Sequence, residues 1–423
     1  MSETLLPKGW IATTLKDICY LNPKNDLADD LDVGFLPMSG VPVNFGEKNI
    51  FEIKKWAEVK KGYTHFADGD TIFAKITPCF ENSKASIIEK FPNGYGSGST
   101  EYFVLRPVSR LVNPKLLLGL VRTNEFLREG AANMSGSVGH KRVPKEFVEN
   151  YIFPLSPIAE QQQIAQKLDE LLAQVDTLKT RLNAIPKILK RFRQSVLAAA
   201  VSGRLTEEWR GSGEKWPEKK LREICLSISD GDHQAPPRAD SGIPFLVISN
   251  VNKGFIDFSK VERWVPQYYF DELKDLRRPK RNDILYTVTG SFGIPVLVDT
   301  DQDFCFQRHI AILKPNADFL NYKFLFFLLG SSQAFKQADS VATGTAQRTV
   351  ALNSLRDFEF GIPPLEEQTE IVRRVEQLFA YADQIEQRVK DAKARVNHLT
   401  QSILAKAFRG ELTADWRAQN PEL

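Results

Sequence analysis

Long apolar runs are missing from this chain. The strongest, Phe324 to Leu329, falls far short of the roughly 18 residues a spanning helix needs, so no membrane partner is expected. The opening MSETLLPKGW has no signal-peptide apolar core, which sets the expected compartment as the cytoplasm. Cysteine is sparse: Cys19, Cys79, Cys225 and Cys305 stand far apart with no CxxC pair. That argues against structural zinc, gives no reason for disulfides, and leaves reduced, partly buried thiols. Excess charge of one sign is also absent. A net charge of +3 permits nucleic-acid binding without demanding it, so local patches must carry that argument.

Catalytic signatures are equally scarce. There is no GxxxxGK[ST] loop, and GYGSGST at Gly94 to Thr100 lacks both the GxGxxG spacing and the strand-to-helix setting of a dinucleotide site. HExxH and GxSxG do not occur. Glu52 and Lys54 in FEIK have the ExK spacing of some nuclease sites, a match short enough to arise by chance. His65, His140, His233, His309 and His398 are scattered without partners at ligand or triad spacing and read as solvated or core residues. The expectation is no catalytic residue, no metal site and no cofactor bound by the chain itself.

What is present is a duplication. The chain has 423 residues, 42% hydrophobic and 26% charged, the composition of a globular protein of two to four domains. It reads GRLTEEWR at Gly203 to Arg210 and GELTADWR at Gly410 to Arg417. A spacing of roughly 200 positions is far beyond the 20–50 of solenoid repeats, so something domain-sized has been doubled. At the same offset Pro157 matches Pro364, Glu160 and Gln161 match Glu367 and Gln368, and QSVLAAA from Gln194 matches QSILAKA from Gln401. Gly203 and Gly410 are suited to left-handed helix caps, with the Trp209 and Trp416 tails expected to pack back at the junction with the neighbouring domain.

Both copies are helical by pattern. Apolar residues recur at Ile164, Leu168, Leu171, Val175, Leu178, Leu182, Ile185, Leu189, Phe192 and Val196, and again at Ile371, Val375, Leu378, Ala382, Ile385, Val389, Ala392, Val396, Leu399 and Ile403. Alternating steps of four and three give a 3.5 period, the mark of a left-handed coiled coil; the alternative is two helices of period 3.6, each lying on its own domain. Pro186 inside the first copy is expected to kink or interrupt it. The first helix would span on the order of 50 Å, whereas domain termini lie close together, so the two helices are expected to run antiparallel.

The doubling continues into two flanking bodies. Trp10, Leu15, Ile18 and Cys19 align with Trp216, Leu221, Ile224 and Cys225. FLPMSGV from Phe35 resembles FLVISNV from Phe245, GDTIFAKIT from Gly69 resembles NDILYTVTG from Asn282, and STEYFVLRP from Ser99 resembles QRHIAILKP from Gln307. These are β-rich runs bounded by turn residues. Between them the copies differ, and loops varied on a shared scaffold are where binding chemistry sits. Their Lys, Arg, His, Asn, Gln and hydroxyl residues suit phosphates and base edges. The candidate DNA-binding residues are Lys75, Thr77, Phe80, Asn82, Lys84, Ser99, Ser137, His140, Lys141 and Arg142 in the first body. In the second they are Asp230, His233, Gln234, Asn250, Thr289, Ser291, Phe292, Arg308, Thr345, Gln347 and Arg348. RRPKR at Arg277 to Arg281 suits either phosphate contact or a solubilising surface.

The two helical editions, PxxEQ through GRLTEEWR and PLEEQ through GELTADWR, together with the FAKITPCFEN loop, resemble the DNA-specificity subunit of type I restriction-modification enzymes, in particular the enterobacterial IA group. The resemblance implies an α+β chain of two mixed, strand-rich target recognition domains joined by a long antiparallel two-helix coiled coil, with an internal pseudo-two-fold repeat. Its expected segments are recognition domains at 1–154 and 206–362 and helical regions at 155–205 and 363–423. Each domain would read one half of a bipartite, asymmetric site in double-stranded DNA. The coil would set the spacer and dock two modification subunits, with two restriction subunits joining them. S-adenosylmethionine, ATP and Mg would belong to those partners, and the chain itself would be non-catalytic; it has neither NPPF nor DPPY. Rival readings are an autonomous restriction nuclease, a partner-independent repressor and a scaffold without DNA contact.

Overall fold

The computed structural model describes residues 6–422 apart from Arg110, Val138, 212–214, Asp232 and Ala346. Val138, Asp232 and Ala346, inside three of the candidate loops, therefore lie outside the described residues. The chain divides into two units: Met1–Ala184 with Val389–Leu423, and Ile185–Arg388. The cuts fall within the two long helices, so each unit owns part of both.

The first unit is built from short strands rich in β-branched and aromatic residues. One antiparallel sheet runs Cys19–Leu21, Tyr102–Pro107, Thr71–Ala74, Ala85–Ile87, with Phe73 opposite Phe103. A second runs Glu52–Lys55, Asp32–Leu36, Tyr95–Gly98, Thr64–Ala67, its middle pair parallel. A ribbon joins Ile11–Thr14 to Ile152–Leu155. All four residues of Thr71–Ala74 are buried, and Phe73, Phe80 and Phe126 pack together beneath them. The second unit repeats the plan. Its main sheet runs Cys225–Asp230, Ile310–Pro315, Ile284–Thr287, Pro295–Leu297, and Ile243–Leu246 pairs in parallel with Cys305–Phe306. The matched sequence pieces are these matched strands.

Helix caps repeat as well. Asn113 accepts from Lys115 N to start Pro114–Val121, as Asn321 accepts from Lys323 N to start Tyr322–Leu329. Gln161 Oε1 accepts from Asn113 N (2.8 Å) while its Nε2 donates to Leu111 O and Ser156 O. Gln368 makes the same three bonds to Asn321, Phe319 and Pro363.

The long helices are Ile158–Val201 and Leu365–Phe408, 44 residues each. Within the first unit Lys167 Nζ donates to Leu412 O and Lys179 Nζ lies 3.5 Å from Thr400 Oγ1, so the segments run in opposite directions. Within the second, Arg374 Nη1 donates to Leu205 O and Arg193 bridges Asp383 (2.6 Å) and Glu386 (3.0 Å), again in opposite directions. Val175, Leu189 and Val196 are buried, as are Val375, Ala382, Val389 and Val396, at heptad steps. Nearer the bodies, Ile164, Leu168 and Leu172 join the first unit's core, four apart as on a helix lying on a domain. Both periods are therefore present in one helix.

Two members of the expected stripe stay wet. Leu178 and Leu399 are each 43% exposed, because two helices cover only the inner side of a seam and neither residue belongs to a body's core. Leu171 is half-buried beside the buried Leu172. Pro186 does not interrupt its helix. It is exposed, so the one carbonyl it leaves unpaired faces water.

The duplicated octapeptide owes its residues to this arrangement. Gly203 and Gly410 adopt φ of 78° and 73°, as left-handed caps do. In the first unit Glu160, 1% exposed, accepts from Trp10 Nε1 (2.8 Å), Thr413 Oγ1 (2.7 Å) and Arg417 Nη1 (2.6 Å). In the second unit Glu367 accepts from Trp216 Nε1 (3.1 Å), Thr206 Oγ1 (2.7 Å) and Arg210 Nε (3.0 Å). Each octapeptide thus secures the start of the other copy's helix. Of the two tryptophans expected to pack back at the junction, Trp416 is half-buried and Trp209 is not packed there. Trp209 is 46% exposed, and the bonds to Glu367 come from Thr206 and Arg210 instead. No helix among the described residues is long and apolar enough to cross a membrane.

Candidate nucleic-acid interface

In each unit the chain leaves the strands of the main sheet at one end, and backbone bonds tie three loops together there. In the first unit Lys75 N donates to Glu101 O (2.9 Å), Thr77 N to Lys141 O (3.0 Å) and Val143 N to Lys75 O (2.9 Å). Ser135 and Arg142 exchange backbone bonds that close a hairpin. In the second unit Val288 N donates to His309 O (3.0 Å), Gly290 N to Arg348 O (2.9 Å) and Val350 N to Val288 O (2.8 Å), with Thr343 and Thr349 closing the hairpin. The hairpins turn on Gly136 (φ 125°) and Gly344 (φ 107°), where an added Cβ would sit 2.8 Å from His140 O and 2.5 Å from Gln347 O. Gly231 lies against the Phe306 and Gln307 backbone, where an added Cβ would sit 2.0 Å from Phe306 O.

These loops carry most of the candidates. Asn82, Ser137, His140 and Lys141 are exposed in the first unit; His233, Gln234, Ser291, Arg308, Thr345 and Gln347 are exposed in the second. Lys75 is half-buried, its ammonium 5.5 Å above the Phe103 ring, and Ser99 Oγ accepts from Glu101 N. Thr77 Oγ1 is buried without a partner.

Other candidates are committed elsewhere. Phe80 is 1% exposed and belongs to the core, since its ring fills the gap between Phe73 and Phe126. Asn250, also 1% exposed, accepts from Val247 N and donates to Asp257 O, bracing its own loop rather than facing outward. Thr289 is buried against Thr349. Lys84 Nζ donates to Met38 O. Phe292 stacks on Phe335 with centroids 5.9 Å apart.

Arg142 and Arg348 are held by carboxylates that sequence reasoning passed over. Arg142 makes a forked pair with Glu101 (2.7 to 3.1 Å), and those hydrogen bonds hold the Glu101 carboxyl below its ordinary value. Arg348 pairs with Asp339 (2.6 Å) and covers the Phe292 ring. Asp230 accepts from His233 Nε2 (2.8 Å) and lies 3.8 Å from Arg277. Burial first, and Arg308 second, lower the His309 pKa, which keeps that ring neutral near pH 7. Within RRPKR, Arg281 pairs with Asp301 and Arg278 lies over Phe270. Glu52 and Lys54 pair with each other at 3.3 Å. Among the described residues no group of three or more His, Cys, Asp or Glu gathers as metal ligands.

The family model for the type I restriction modification DNA specificity domain matches this chain twice, over residues 7–187 and 213–392. The chain belongs to that family. The two matches cover the two copies of the internal repeat. Among curated relatives, the specificity subunit of the type I restriction enzyme EcoKI of Escherichia coli is 37% identical over 100% of this chain and 93% of its own length. That of EcoBI, also from E. coli, is 41% identical over 69% of this chain and 65% of its own length. The StySPI subunit of Salmonella potsdam is 37% identical over 75% of this chain and 70% of its own. Among solved structures the HsdS subunit of Thermoanaerobacter tengcongensis superposes with a TM-score of 0.68 at 22% identity, covering 97% of this chain and 99% of that one. A chain from a study of complex assembly in a type I R-M system gives 0.69 at 21%, covering 96% and 99%. These two share the fold.

Proposed function

We propose that the chain is the DNA-recognition subunit of a type I restriction-modification complex, each unit reading one half of a bipartite, asymmetric site. The observation that carries this reading is the pairing of a repeated framework with unlike loops. The same three backbone ties assemble a loop cluster in both units, but one cluster offers Asn82, His140 and Lys141 where the other offers His233, Gln234, Arg308 and Gln347. Equal scaffolds with unequal hydrogen-bonding groups suit two different short sequences. Opposed long helices fit an antiparallel two-helix coiled coil that spaces the units and docks two modification subunits. Two restriction subunits would complete the complex. S-adenosylmethionine, ATP and magnesium belong to those partners in this reading, and the chain contributes no catalytic group.

The test is to map N6-methyladenine in host DNA when the chain is expressed with its modification subunit. One bipartite motif is expected. Exchanging the 6–154 body for that of a relative should change one half of the motif and leave the other. A change in both halves would rule out separate readers.

A further inference from the structure

A cavity of about 490 Å3 lies inside the first unit. It is bounded by the 42–51 loop, the end of Pro114–Val121, and Leu168 to Asp176 of the first long helix. Leu118, Leu168, Leu172 and Phe45 give it an apolar wall. Its volume falls in the range of about 300–1,000 Å3 typical of small-molecule sites.

Arg122 lines this cavity and is 3% exposed. Its Nη2 donates to Pro42 O (3.2 Å) and to Ala85 O, while Nε and Nη1 are buried with no partner. The Phe45 ring covers the guanidinium at 4.5 Å. No carboxylate among the described residues bonds to it. Glu47 is engaged by Asn44 (2.7 Å) and Asp176 by Gly46 N (3.1 Å), so both act on the arginine only through space. Burial pulls the Arg122 pKa down to about 10. A buried cation with no carboxylate bonded to it and two N–H-bearing atoms unpaired is costly. The matching helix of the second unit, Tyr322–Leu329, ends on Gly330.

We propose that this cavity binds a small organic monocarboxylate, its oxygens taking the unpaired Arg122 N–H groups and its apolar body lying on Leu118, Leu168 and Leu172. A single charge fits because Glu47 and Asp176 border the same space and repel a dianion, while Lys115 and Asp169 neutralise each other. Contact with the buried N–H groups requires the Phe45 ring, which covers the guanidinium, to shift. The occupant would clamp that loop and the strand Ala85–Ile87, which directly follows the candidate loop ending at Lys84, to the first long helix. The inference is independent of DNA reading.

The test titrates the purified full-length chain, by calorimetry and thermal unfolding, with phenylacetate, acetate and benzylamine. Phenylacetate is expected to bind one to one and raise the melting temperature, acetate to bind at least about tenfold more weakly, and benzylamine not to bind. Arg122→Met and Ala173→Phe should each weaken phenylacetate about tenfold or more. Ala173 is an exposed helix position lining the cavity, so its variant decides the matter if Arg122→Met fails to fold. Absence of saturable phenylacetate binding, or undiminished binding by Ala173→Phe, overturns the proposal.

Discussion

At the residue scale, the pairing of Arg142 with Glu101 governs what the first loop cluster presents. The folded Glu101 pKa lies below its ordinary 4.5, so the stability this pair adds is fully present above that pH and is lost as pH falls through the depressed value. At neutral pH the guanidinium is therefore occupied. Glu101→Ala should free it, and binding of DNA by the methylating complex should gain about 0.9 in its salt slope, the increment for one phosphate contact. An unchanged slope across a salt titration would place Arg142 away from the backbone. The cysteines are legible at the same scale. Burial pushes Cys19 and Cys225 up to about 12, Cys305 is buried, and only Cys79 is half-buried. A thiol reagent should label Cys79 alone in the native protein and all four after denaturation.

At the scale of elements, the two carboxylates at the helix starts matter most. Glu160 and Glu367 each collect an indole, a hydroxyl and an arginine. Glu160→Ala would strand those donors, including the charge of Arg417, whose side chain is 22% exposed, at a cost of about 3–5 kcal/mol. Glu367→Ala should cost a similar amount in the second unit. Denaturant unfolding of the two variants checks this, and a loss below about 1 kcal/mol for either would mean water replaces the carboxylate. Thr413→Val is milder, because only a neutral hydroxyl is lost and the shape is kept, at about 1 kcal/mol. Of the five letters the two octapeptides share, Thr and Arg reach a carboxylate and Gly caps the helix, while Trp209 remains on the surface.

For the whole molecule, the testable quantity is spacer length. Four residues inserted in both long helices, between Ala184 and Ile185 and between Arg388 and Val389, form a stutter that a coil tolerates. The insertion adds about 6 Å and turns one end by roughly 40°. Nearly two base pairs of DNA match that length and turn by roughly 70°, close enough for loop junctions to absorb. Methylation mapping should show the same two half-sites separated by one or two more base pairs. An unchanged spacer in an active complex would show that the helices do not set the distance. Insertion near Ala199 is the poorer choice, since Gly203 and the Thr206 and Arg210 ties to Glu367 follow within about three turns.

The sequence by itself determined the duplication, the strands and the long helices, because each rests on short-range periodicity: alternation in GDTIFAKIT and steps of three and four from Ile164 to Val196. It also located the loops, since turn residues and a break in self-similarity are local signals. Tertiary structure alone decided which polar side chains remain available. Asn250, Thr289 and Phe80 carry the chemistry of a reading residue; Thr289 and Phe80 are consumed by partners distant in the chain, and Asn250 is buried while bracing its own loop. The exchange of octapeptides between copies was equally out of reach, because Glu160 meets Thr413 across the length of the chain and only folding brings them within 2.7 Å. Burial and hydrogen-bond partnership are properties of long-range contacts. Periodicity is a property of neighbours, and only the latter is written in order along a chain.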